Sequence, residues 1–339
     1  MWRLFVLLAG PVLLTWASYA MTVGRAVSEA TQPRESTASA QSEFDVRSLR
    51  DAADVGLVSP AASKSEADRL RKLAVACDRR ATQLTDKLDP SFRIIVRPPF
   101  VIAGDVSVAA LDQHYRESIL PTSRALSLMY FDHSPDEPIS ILLFATEKAY
   151  QQTAKRFDGR STANYHGYYI RTDRRVMINA STGSGTLSHE LTHALGHFDF
   201  PAMPEWFDEG LASLYEECSF TSDGLQLVGH SNWRLNHLLN AMHHRQLDSL
   251  EALLGARKFR SERQEIDYAQ ARYLCLYLQE RDVLPLFYRK FRANAATDPS
   301  GMQTLREVFA QTSLDPIDRD FRNWSIDLYE QTRKVASRR

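Results

Sequence analysis

In SHELTHALGH, Ser188 to His197, two histidines stand four residues apart, and a glutamate directly follows the first. On an α-helix this spacing puts His189 and His193 on one face, about 6 Å apart, where two ring nitrogens can share a metal ion. Glu190 then lies beside the ion, placed to take a proton from a metal-acidified water as that water attacks a carbonyl. Zn2+ is the ion this chemistry expects. The alternative reading is a helix with two solvated histidines. Two ring nitrogens leave the coordination incomplete, so a third protein ligand must come from downstream.

Two acidic residues compete for that place. In PEWFDEGLASLYEE, Pro204 opens a second helix. On it Glu209, Ala212 or Ser213, and Glu216 share one face, while Phe207, Leu211, Leu214 and Cys218 form an apolar stripe. Small residues between the glutamates let this helix approach the first. Glu209 then becomes the third ligand, and Glu216 accepts a hydrogen bond from the far side of a ligand imidazole. The rival is Asp199, six residues past His193 with Gly196 between them, a pattern that resembles the metzincins. That scheme also needs a methionine turn beneath the metal, but Met203 stands too close and Met242 falls in a helical stretch. If Glu209 is the ligand, His197 and Asp199 are expected in a polar loop near the cleft.

HELTH followed by PEWFDEGLASLYE resembles the gluzincin metallopeptidases, in particular the aminopeptidase-like branch and its uncharacterised exported bacterial relatives. Glu209 and Glu216 match that branch's glutamate ligand and the glutamate seven residues beyond it. DYAQARYLCLYLQE resembles the later helix whose tyrosine stabilises the tetrahedral intermediate, and Tyr268 falls at that place. A half-buried helix tyrosine is the other reading of Tyr268, and Tyr273 and Tyr277 are further candidates for the role. YHGYYIRTDRRVMINAS resembles the strand pair that precedes the metal helix. The resemblance is tight over 186–217 and loose over 90–295, and it implies a thermolysin-like or gluzincin-like α+β domain, bound zinc, and a peptide or protein substrate. Two features depart from the branch. The gap between His193 and Glu209 is shorter, and no Gly-Ala-Met-Glu-Asn-type segment is there to read a free amine, so aminopeptidase specificity is not implied.

The elements that must position these groups can be read from periodicity. From Ser65 onward, Leu70, Leu73, Cys77, Leu84 and Leu88 recur at helical spacing. FRIIVRPPFVIAG is strand-like but interrupted at Pro98-Pro99. A helix over 107–127, a strand PISILLFAT and a helix EKAYQQTAKRF follow. A hairpin turns at Thr172-Asp173-Arg174. Helices are then expected over 184–197, 204–218, 231–246, 266–280, 283–294 and 315–333. This is an α+β pattern, a small N-terminal mixed sheet followed by a mostly helical C-terminal half. Val176–Asn179 or Tyr165–Ile170 is the expected wall along which an extended peptide adds as a further strand. His243 and His244, pointing about 100° apart, make a solvated helix end rather than a metal pair. The last helix caps the domain or docks a partner, with capping the default.

The whole chain narrows the classes further. Its 339 residues are 44% hydrophobic and 24% charged, as in an ordinary globular protein. A net charge of −1 supplies no basic field for nucleic acid or anionic lipid. MWRLFVLLAGPVLLTWASYAM carries one cation, Arg3, before an apolar run, and Ser18 and Ala20 suit a signal-peptidase site. Residues 1–22 are thus read as a signal peptide or a membrane anchor. Residues 23–64, rich in Ser, Ala, Thr and Glu, read as a flexible linker, and 65–339 as the metallopeptidase-like domain. The body is expected outside the cytoplasm, whether secreted, periplasmic or tethered. Cys77, Cys218 and Cys275 lack the spacing of a zinc–thiolate site; either Cys218 pairs with Cys275 or all three are separate buried thiols. The expected activity is peptide hydrolysis. The alternatives are a non-catalytic peptide- or cell-wall-binding protein on the same fold, and hydrolysis of a non-peptide amide.

Overall fold

Phe100–Gly104, Ile139–Phe144 and Arg175–Asn179 read FVIAG, ISILLF and RVMIN, apolar almost throughout, as strands covered on both faces must be. In the computed structural model, which describes residues 60–336 apart from 163, 164, 184, 257 and 260, they are strands β2, β3 and β5 of a mixed sheet. With β1 (Arg93–Arg97) and β4 (Gly167–Ile170) the order is β1-β2-β3-β5-β4, parallel in the middle and antiparallel at both edges.

Alternate side chains divide the core. On one face Val101, Leu142, Phe144 and Met177 meet Leu73, Cys77 and Leu84 of α1 (Pro60–Lys87) and Tyr150 of α4 (Glu147–Asp158). On the other, Ile102, Ile141, Leu143, Val176 and Ile178 meet Leu111 of α2 (Val108–His114) and Leu126 of α3 (Leu120–Met129). Leu187, Leu191 and Ala194 of α5 (Gly185–Asp199) complete that second layer. The histidine helix therefore lies directly against the sheet.

The C-terminal half is helical: α6 (Glu205–Leu214), α7 (Arg234–His243), α8 (Leu250–Gly255), α9 (Gln264–Glu280), α10 (Leu284–Asn294), α11 (Met302–Val308) and α12 (Asp315–Ala336). A small hairpin, β6 (Cys218–Phe220) with β7 (Leu227–Gly229), follows α6. Helix α9 is buried nearly all round and forms the axis of this half. Helix α6 crosses it at Gly210, where a Cβ would stand 2.7 Å from the Ala271 carbonyl oxygen and 3.0 Å from Cys275 Sγ. The buried Arg272 closes the C-terminal end of α6, its Nε donating to the Ser213 carbonyl at 2.9 Å, and its guanidinium also bonds the His230 carbonyl. At the other end of α6, Trp206 and Phe207 pack against Phe287 and Phe291 of α10. Helix α12 caps the domain, setting Phe321 and Trp324 on Tyr277 and donating from Trp324 Nε1 to Glu280 at 2.8 Å.

Several expectations change. Val176–Asn179 is not a free wall, because β5 is paired on both sides; the exposed edge belongs to β4. The helix expected over 204–218 ends at Leu214, where the chain turns into β6, so Cys218 lies on a strand. All three cysteines are free thiols, Cys77 and Cys275 buried and Cys218 half-buried, so of the two alternatives the three separate thiols hold and Cys218 does not pair with Cys275. Helix α1 begins at Pro60, inside the segment read as linker. The signal or anchor at 1–22 lies outside the described residues, among which no helix is long and apolar enough to cross a membrane.

The α6–α9 crossing gives a paired test. Gly210→Ala forces a Cβ against backbone and should cost about 1–3 kcal/mol. Gly196→Ala, whose Cβ would meet only the flexible Met203 Cε at 3.4 Å, should be neutral or gain up to about 1 kcal/mol from helix propensity. Urea unfolding of the two variants beside the parent checks the difference.

Candidate metal centre

One turn apart on α5, His189 and His193 bring their Nε2 atoms to 3.0 Å from each other. Each Nε2 is 3.6 Å from Glu209 Oε2, offered by α6. These three donor atoms form a group able to hold one ion. The close crossing at Gly210 and the aromatic contacts of Trp206 and Phe207 fix how α6 presents Glu209.

The other side of each ring shows what the facing nitrogens are. His193 Nδ1 bonds Asp208 Oδ1 at 2.7 Å. Glu216 Oε1 stands 3.1 Å from His189 Nδ1, close but not in line for a full hydrogen bond. An ionised carboxylate only accepts, so both Nδ1 atoms are favoured to carry the proton and both Nε2 atoms turn bare lone pairs inward. Glu209 Oε2, buried, has no hydrogen-bond partner among the described residues. Two lone pairs and a carboxylate oxygen converging out of water repel one another unless a proton or a cation sits between them, and this donor set fits a divalent metal ion.

The electrostatics agree. Burial opposes the charged form of His189, yet Glu209 and Glu216 overcome it and lift the imidazole to about 9. His193 is likewise held well above its ordinary range, with burial opposing and Asp208 and Glu209 prevailing. Burial would raise the carboxyls of Glu209 and Asp208, but His193 and His189 pull Glu209, and His193 and His197 pull Asp208, far below the usual carboxylate range. A pocket that draws protons onto both rings against burial has a field that favours positive charge. Glu190, on the same helix and buried, is raised by desolvation, with the two histidines opposing.

The remaining residues divide between the centre and its frame. Tyr268 lies beside Glu209 on α9, and burial together with that carboxylate lifts its phenol far above the usual range. Its ring is edge-on to Phe259 at 5.1 Å. The two fallback tyrosines face elsewhere: Tyr273 donates to the Asn232 carbonyl at 3.0 Å, and Tyr277 to Asp320 at 2.6 Å. Glu216 is held between His189 and Arg234, with which it forms an ion pair.

Asp199 is elsewhere. Helix α5 runs unbroken through Gly196 to Asp199, so no glycine turn brings the carboxylate back towards the histidines. Fully buried, it instead takes Arg292 Nη1 at 2.5 Å, the Tyr288 hydroxyl at 3.0 Å, and the backbone N–H groups of Asp132 and His133 at 2.9 and 2.8 Å. The expected polar loop at His197 and Asp199 is helix, and His197 Nε2 bonds Asp208 Oδ2 at 2.9 Å. Asp208 was not singled out from the sequence. The available signals were its place one residue before Glu209 and the continuation of the histidine stripe to His197. The pair His243 and His244 is exposed at the end of α7.

Removing the Asp199 carboxylate leaves a mostly buried guanidinium with only the exposed Asp132 as its ionic partner and two backbone N–H groups without an acceptor, so Asp199→Ala should cost about 3–5 kcal/mol while leaving metal content per folded chain unchanged. Glu209→Ala should do the reverse, losing metal with a small change in melting temperature. Burial raises the Asp199 carboxyl, but Arg292 and the His133 N–H more than offset this and depress it. Its contribution is therefore full at neutral pH and is lost as pH falls below the ordinary carboxylate range. Metal analysis beside thermal melts across acid pH checks all three. No protein-family model matches the chain, and no curated protein matches it.

Proposed function

We propose that this chain is an exported zinc metallopeptidase of gluzincin type, with a thermolysin-like arrangement of its catalytic half. One observation carries the reading: His189 Nε2, His193 Nε2 and Glu209 Oε2 converge within 3.6 Å, with Glu190 buried on the same helix. His189, His193 and Glu209 hold the ion. When bound, zinc supplies Lewis acidity, acidifying a water and polarising a carbonyl.

The chain's own groups do the rest. Glu190 takes the proton of the attacking water and passes it to the leaving amine. Its burial-raised carboxyl suits a base that must next act as an acid. Tyr268 stays protonated beside Glu209 and donates a hydrogen bond to the oxyanion. Along β4, the Asn179 N–H bonds the His166 carbonyl at 2.8 Å. By the alternation of an antiparallel ladder, Gly167 and Tyr169 then turn their N–H and C=O groups to the open edge. A peptide adds there as a further strand, beside the metal helix, since the Tyr169 ring lies 5.6 Å from that of His197. The apolar segment at 1–22 supports export or a membrane tether, and the net charge of −1 supplies no global basic field that would favour nucleic acid over a peptide substrate.

On a mixed peptide library, Glu190→Gln should keep its zinc and its fold yet lose roughly 10²–10⁴-fold in turnover. Tyr268→Phe should lose about 10²–10³-fold in kcat with KM little changed. Equal cleavage by Glu190→Gln would sink the mechanism. A zinc-loaded parent that cleaves nothing would make the protein a peptide- or cell-wall-binding module.

A further inference from the structure

His197 extends the α5 stripe by one more turn and does not group with the His189, His193 and Glu209 donor atoms. We infer that His197 is a positioning residue, acting through Asp208 on the ligand His193; this rests on the metal-centre reading above. Asp208 gives one oxygen to each ring, Oδ1 to His193 Nδ1 at 2.7 Å and Oδ2 to His197 Nε2 at 2.9 Å. A carboxylate held at two points a helical turn apart cannot swivel. It keeps the proton of His193 on Nδ1 and the Nε2 lone pair on the ion. The three side chains also group closely enough to be considered as an ion site. Asp208 is already hydrogen-bonded to both rings, however, so they form a bonded chain instead.

Two further observations assign the task to His197. Its ring is mostly buried, between the rings of Tyr169 at 5.6 Å and His193 at 6.0 Å. Its Nδ1 has no partner among the described residues, which leaves the bond to Asp208 as the one use its polar atoms have within the fold. Because Asp208 and Glu209 are consecutive on α6, the same clamp sets the rotation of α6 that aims Glu209. His197 thus steadies two of the three ligands without touching the ion.

The test uses the full chain and Co2+ alone, following the visible absorption of the bound cobalt and its affinity by chelator competition. His197→Gln places an amide donor near the position of Nε2; His197→Asn is too short to reach Asp208. The Gln variant should match wild type in spectrum and affinity. The Asn variant should bind roughly 10–100-fold more weakly with an altered spectrum, as should Asp208→Asn. An Asn variant indistinguishable from wild type would overturn the role. If that variant fails to fold in a thermal melt, the Gln variant still decides, since affinity as weak as that of Asp208→Asn would overturn it too. A wild type that takes up no cobalt would remove the metal centre itself, whereas cobalt bound equally by all variants removes only the part given to His197.

Discussion

Two imidazole nitrogens and a carboxylate oxygen, held within 3.6 Å of one another away from water, repel unless a proton or a cation lies between them. Much of the rest of the fold can be understood as a means of holding that arrangement. The sheet presses on one side of α5 through Leu187, Leu191 and Ala194. Against its other side comes α6, pinned at one end by aromatic packing on α10 and at the other by Arg272. Gly210 lets α6 sink onto α9 until side-chain volume sets the limit. Each element is ordinary, but together they fix the separation of two helices, which is the quantity a metal site cannot leave loose.

Asp199 shows the same economy in the frame. It sits at the C-terminal end of α5, where negative charge is unfavourable against the helix dipole. The end is made tolerable by Arg292 and by two backbone N–H groups from the segment after α3. The carboxylate therefore ties α5, α10 and the Asp132–His133 segment together, and the histidine helix is anchored at its far end by charge rather than by packing alone.

His189, Glu190 and His193 were legible because local spacing suffices to place them on one helical face. Glu209 was legible because small residues beside a glutamate signal a close helix approach. The competing claim of Asp199 was not decidable from spacing: it turns on whether the helix stops at Gly196 and on an arginine 93 residues later. Asp208 stayed hidden for a related reason, since its meaning depends on which ring nitrogens face α6 once the helices cross. The strands were visible as apolar runs, but their order was not. The order decides that β5 is interior and β4 is the edge. Whether Cys218 pairs with Cys275 was open on the same ground, since it depends on where the chain leaves α6 and carries Cys218 into a hairpin.

Arg272 has one more consequence. Its guanidinium has no carboxylate partner among its hydrogen bonds; it is bonded to the carbonyls of Ser213, Leu214 and His230, on two stretches of chain that flank the β6–β7 hairpin. To free any one of those carbonyls exposes a buried cation to a half-broken cage, so fraying cannot begin there by small steps. The end of α6, the end of the hairpin and the middle of α9 therefore open together or not at all. Amide protons along them should share one slow exchange rate, that of global unfolding. Glu209 stands on the helix that this cage closes, whereas the open edge of β4 lies on the opposite side of α5, outside that unit.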